Sequence, residues 1–220
     1  MTYKHLSFVS LFAVAALSAS AQRNVENFNF GWQFHRGNID VTAINTSDGS
    51  WETINVPHDF QISQPWVAPA ANESEDNSDG ASNFKSRLSA RGFKEMGDGW
   101  YVKTYTPAAD MKGRRILLDF EGIMYVGDVY LNGKRIGGTD YGYLGFDIDV
   151  SKLLKYGQAN TIAVHASTSG PLNSRWYTGG GLYRDVKIVS TPADIYFVRH
   201  PLYVTTTDNH LVNLQVEVAN

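Results

Sequence analysis

Two short clusters combine residues that hydrogen-bond with residues that stack. One is Asp59, in Pro57-His58-Asp59; the other is Asn173, Arg175, Trp176 and Tyr177, within five positions. A carboxylate accepts hydrogen bonds from two vicinal hydroxyls, an arginine donates to ligand oxygens or fixes the carboxylate, and an indole stacks on a ring face. Plainer roles fit the same residues. Asp59 caps a turn after Pro57, and Trp176 and Tyr177 pack at a domain interface. Other chemistry is poorly provided for. The six histidines show no metal-ligand spacing. There is no Gly-x-Ser-x-Gly elbow. Gly179-Gly180-Gly181 precedes an alternating run instead of a helix, which excludes a phosphate loop. Asp147 and Asp149 share one strand face, but calcium needs more oxygen ligands than two. No cofactor and no metal are expected.

The elements that must carry these clusters read as β. Ile116, Leu118 and Phe120 alternate with Arg115, Leu117 and Asp119, and Ile162, Val164 and Ala166 alternate with Thr161, Ala163 and His165. Tyr125 to Leu131 and Lys134 to Gly137 flank Asn132-Gly133, the strongest short hairpin cue, because both positions tolerate positive φ. Trp100 to Tyr105 is a further strand. The one helical candidate is Ser151 to Tyr156, a short turn capped by Ser151 and ended by Gly157. Short strands with turns between them predict an all-β sandwich. Arg184 falls into alternation with Leu182, Val186 and Ile188, which predicts a buried arginine bound to a carboxylate. Residues 65–98, with the acidic run Asn72 to Gly80, read as a long exposed loop.

Residues 1–21 stand apart. Lys4 and His5 precede an apolar run from Leu6 to Leu17, and Ala19-Ser20-Ala21 supplies small residues for cleavage. This is the layout of a secretory signal peptide, and the run is too short to span a bilayer. The mature chain is expected outside the cytoplasm, periplasmic or extracellular. The chain has no cysteine, so its core alone must hold it. Its formal charge of −3, without a basic run, argues against nucleic acid. With 12 Tyr, 11 Phe and 5 Trp, aromatics are abundant, and a packed core accounts for that number as readily as a ligand does. A boundary falls near Ser190-Thr191-Pro192. Beyond it, Ile195–Val198, Leu202–Thr206 and Leu211–Val218 read as three strands.

A series of motifs in order resembles glycoside hydrolase family 2. These are Phe30-Gly31-Trp32-Gln33-Phe34, Val56-Pro57-His58-Asp59-Phe60, Gly99-Trp100-Tyr101, Phe120-Glu121-Gly122, Val129-Tyr130-Leu131-Asn132-Gly133 and Gly142 to Asp147. The longest is Ser174 to Val186, reading SRWYTGGGLYRDV. They span about residues 28 to 190 and look like the β-galactosidase-type branch. The resemblance implies a jelly-roll, galactose-binding-domain-like sandwich over 22–190. Residues 191–220 would then open an immunoglobulin-like sandwich, with a catalytic TIM barrel beyond this chain. Family members are retaining hydrolases whose two carboxyl groups, about 5 Å apart, lie on that barrel. No glutamate here sits in such a motif, so the chain is expected to be inactive alone. The resemblance further implies that loops of this domain touch the terminal sugar at the barrel mouth. Asp59, Asn173, Arg175, Trp176 and Tyr177 are the residues matching that role. Carbohydrate, held together with the barrel, is the partner implied. A freestanding carbohydrate-binding module and a purely structural spacer remain as alternatives.

Overall fold

The computed structural model describes residues 22–67, 93–169, 177–207 and 211–220. The strands are β1 (Asn24–Asn27), β2 (Trp32–Arg36), β3 (Glu52–Ile54), β4 (Asp98–Tyr105), β5 (Arg115–Phe120) and β6 (Val126–Leu131). They continue with β7 (Lys134–Thr139), β8 (Phe146–Asp149), β9 (Asn160–Ser167), β10 (Val186–Thr191), β11 (Tyr196–Thr206) and β12 (Val212–Ala219). A six-stranded sheet runs β3-β2-β4-β9-β6-β7, and a four-stranded sheet runs β1-β10-β5-β8. Every pairing is antiparallel. The two sheets form a jelly-roll β-sandwich, and β11 and β12 form a separate two-stranded sheet.

Alternation decides what each strand buries. Ile116, Leu118 and Phe120 of β5, Val129 and Leu131 of β6, and Ile162, Val164 and Ala166 of β9 enter one core with Trp32, Tyr101 and Ile188. The other face of β4 and β9 is covered too. There Trp100, Val102 and Ala163 pack with Ile39, Val41, Ile44, Trp51 and Tyr130, making a smaller second cluster. The β6–β7 hairpin turns on Asn132 and Gly133, both at positive φ (51° and 81°).

Three local expectations are corrected. Ser151–Tyr156 is a series of turns, not a helix. The Ser151 hydroxyl accepts from the Ile116 amide of β5 and donates to Asp149. The Asn160 side chain instead ties the turn, accepting from the Lys155 amide and donating to the Lys155 and Gln158 carbonyls. Residues 195–206 hold one strand where two were expected. Its register shifts between Phe197 and Leu202, and His200 takes a positive φ of 53° there, so the irregularity bends the strand without ending it. Arg184 is exposed, not buried. It donates to the carbonyls of Glu121 and Tyr143, and no carboxylate holds it among the described residues. The reason is that β10 starts at Val186. Period-two alternation does not reach back through the irregular segment before it.

Candidate functional site

At one end of the sandwich, three chain segments are laced together. The His58 amide donates to the Leu182 carbonyl at 2.7 Å, and the Phe60 amide donates to the Gly180 carbonyl at 2.9 Å. On the other side, Gly181 exchanges both backbone hydrogen bonds with Met124, at 2.7 and 2.8 Å. Phe60 anchors the first segment. Its ring is fully buried, stacks on Phe34 at 5.8 Å and carries the Arg36 guanidinium 4.7 Å above it. Two glycines allow the close approach. A Cβ on Gly181 would lie 2.1 Å from the Tyr101 hydroxyl, and one on Gly179 would lie 2.7 Å from an Asp59 carboxylate oxygen.

Asp59 sits half-buried on the turn these segments hold. Its Oδ1 accepts from the Gln61 amide and the Gly180 amide, both at 2.9 Å. Its Oδ2 accepts from the Tyr177 hydroxyl at 3.0 Å. The carboxylate therefore does cap its turn, and it also bridges to the glycine-rich loop 118 positions along the chain. Each oxygen has lone-pair capacity beyond these bonds. Of the residues expected at the site, the structure brings Asp59 and Tyr177 together. Asn173, Arg175 and Trp176 lie outside the described residues, as does most of the acidic loop.

Below Asp59, the His58 Nδ1 lies 2.9 Å from the hydroxyl of fully buried Tyr101. Burial lowers the His58 pKa, only partly offset by Glu52 and Asp59. Burial holds the Tyr101 phenol well above its ordinary value. Both groups are therefore neutral near pH 7, a rigid support for the turn. Gln61 is fully buried, and neither atom of its side-chain carboxamide has a hydrogen-bond partner among the described residues. Beyond Met124, the rim continues into Tyr141 and Tyr143, whose rings lie 5.6 Å apart, and Tyr183, whose hydroxyl donates to the Gly142 carbonyl. His58, Gln61 and these tyrosines were not among the expected site residues. His58 stood next to Asp59 in the quoted motif; nothing local marked Tyr141. No group of three or more potential metal ligands occurs among the described residues, and no described helix is long and apolar enough to cross a membrane.

Residues 87–175 match the glycosyl hydrolase 2 galactose-binding domain-like family model. The chain carries the galactose-binding-like domain of glycoside hydrolase family 2. Among curated relatives, a β-galactosidase of Bacteroides ovatus is 30% identical over 196 residues, which cover 89% of this chain and 21% of that protein. A β-glucuronidase of Formosa agariphila is 32% identical over 197 residues, covering 84% of this chain and 18% of the relative. Among solved structures, a β-glycosidase from Bacteroides vulgatus superposes with a TM-score of 0.71 at 28% identity, covering 89% of this chain and 24% of that one. A family 2 member from Bacteroides cellulosilyticus gives 0.64 at 32% identity, over 83% and 22%. The chain thus spans about a fifth of the length of these relatives.

Proposed function

We propose that this domain shapes the terminal-sugar subsite of an exported family 2 exo-glycosidase, acting on β-galactosides or similar glycosides. One observation carries the reading: the Asp59 carboxylate is fixed from two loops at once, by Gln61 on its own turn and by Gly180 and Tyr177 across the rim. A carboxylate so oriented meets sugar hydroxyls without first being ordered, which lowers the cost of binding. The names of relatives support the glycoside class. The leader-like residues 1–21 support export to the periplasm or beyond. The catalytic carboxyls would belong to a barrel elsewhere in the longer protein, and Asn173, Arg175 and Trp176, which lie outside the described residues, are the further residues proposed for the subsite. We assign the hairpin β11–β12 to the start of an immunoglobulin-like sandwich. Leu202 and Val204 of β11 and Leu214 and Val216 of β12 are each half or more exposed, a face suited to a second sheet.

Calorimetric titration of the chain with galactose and β-linked oligosaccharides tests the reading. Absence of binding is expected, because half a subsite lacks the barrel. Micromolar binding would make the freestanding module the better account. The chain alone should also release no nitrophenol from a nitrophenyl galactoside. The spacer reading draws on the same Asp59 contacts, since a carboxylate already holding three donors can be purely structural.

A further inference from the structure

A cleft of about 450 Å³ opens between the four-stranded sheet and the start of β11, lined by Arg114, Arg115, Asp149, Lys152, Leu153 and Tyr196 among others. Arg115 opens β5, whose far end, Phe120, adjoins the Glu121 that Arg184 touches at the rim. A strand of this length puts the cleft roughly 17 Å from that rim. The charges here do not cancel. Among the described residues, Asp149 is the only carboxylate lining the cleft, against three cations. Its Oδ1 is taken by the Ser151 amide and hydroxyl, and its Oδ2 by the Arg115 Nε at 3.1 Å. The Arg115 guanidinium lies over the Tyr196 ring, 4.0 Å from its centre. Its side chain is 18% exposed, and neither Nη bonds to another described residue. Arg114 spends one Nη on the Gln22 carbonyl at 2.7 Å. Lys152 is exposed and unpaired among the described residues.

Two fork-shaped donors and an ammonium facing one space suit an oxyanion, which arginine binds through paired hydrogen bonds. The volume lies in the range of small-molecule sites and exceeds what a bare oxyanion fills. Leu153, which is exposed, gives an apolar patch on the wall for a sugar ring, beside the Tyr196 ring that Arg115 covers on one face. From the cleft's chemistry we infer that it binds an acidic sugar residue, one bearing a sulfate ester or a carboxylate, at a site separate from the Asp59 rim. The carbohydrate class rests on the reading given above. The oxyanion requirement does not.

The test is titration of the chain with galactose 6-sulfate, glucuronate, galactose and inorganic sulfate at 50 and 300 mM NaCl. An acidic sugar should bind at least tenfold more tightly than galactose and than inorganic sulfate, and weaken at the higher salt. Arg114→Gln and Lys152→Gln should each weaken it about tenfold with an unchanged melting temperature; Arg115 is left intact because it also pairs Asp149. Preference for the sulfated or the carboxylated sugar identifies which oxyanion the cleft takes. Equal affinity for galactose, or indifference to both substitutions, overturns the proposal. Inorganic sulfate binding as tightly as either sugar removes the sugar from it. Binding of a poly-glutamate peptide in place of any sugar would reassign the cleft to an acidic polypeptide. An Asp59 variant leaves all these outcomes unmoved, so failure here is distinct from failure of the rim subsite.

Discussion

Asp59 does two jobs in one geometry, and they separate by substitution. Removing its carboxylate frees the Gln61 and Gly180 amides, so Asp59→Ala should cost about 1–2 kcal/mol of stability in urea unfolding. Gln61 should behave oppositely. Its buried side-chain carboxamide has no described partner, so Gln61→Met should stabilise the isolated chain by about 1 kcal/mol; a loss of that size would reveal a partner. His58 makes a pH prediction. Burial sets its folded pKa below that of the unfolded imidazole, so the folded state disfavours the proton. Stability is therefore fully present above the unfolded value, about 6.5, and is lost as pH falls below it towards the folded value. Urea unfolding at pH 7.5 and 5.5 should show the advantage of the native chain over His58→Gln shrinking at the lower pH. A constant difference would contradict the assignment. Little of this was legible at the level of single residues. Asp59 and Tyr177 each stood out in their motifs, but their contact across 118 positions, and the share of the Gly180 amide in it, are announced by no local pattern.

At the scale of elements, the sequence was most readable where alternation meets a turn of fixed chemistry. Asn132-Gly133 announced β6 and β7, and Ile116-Leu118-Phe120 announced the buried face of β5. Reading failed where alternation was extended past an element's end. Arg184 shares a period with Val186 and Ile188 but not their strand, so it lies in solvent. Val198 reads as the end of one strand and Leu202 as the start of the next, yet a local irregularity between Phe197 and Leu202 keeps both within β11. The glycine-rich segment shows a constraint that composition hides. Gly181 takes φ +114° against the Tyr101 hydroxyl, so Gly181→Ala should cost about 2–4 kcal/mol and loosen the turn bearing Asp59. Thermal unfolding would measure the cost. A melting temperature unchanged by that substitution would mean the three laced segments do not depend on their close approach.

In the whole molecule, two bodies meet across charge. Arg199 of β11 pairs with Asp119 of β5 and lies 3.7 Å from Asp147 of β8, joining the hairpin to the outer face of the four-stranded sheet. Arg199→Met should therefore speed hydrogen exchange in 196–206 and 212–219 while the β4 and β9 amides stay protected. Even loss of protection across all strands would show instead that the pair supports the sandwich itself. The fold class was legible because the central strands β5, β6 and β9 had to bury a period-two face, and that requirement is written along the chain. The family was legible only through the ordered motifs, since the proposed subsite, shared with another domain, would leave no complete constellation in either one.

The most direct test of the central claim is the kcat/KM of Asp59→Asn in the longer protein proposed here to be a glycosidase, measured on a simple aryl glycoside. Asparagine keeps an acceptor for the Gln61 and Gly180 amides but replaces the second oxygen with a donor, so the turn survives while the bond to a sugar hydroxyl does not. A fall of about 30- to 100-fold in kcat/KM, with the melting temperature preserved, is the result predicted for a subsite residue. An unchanged kcat/KM would contradict it, and the sandwich would then be a spacer that orients the barrel without touching the substrate.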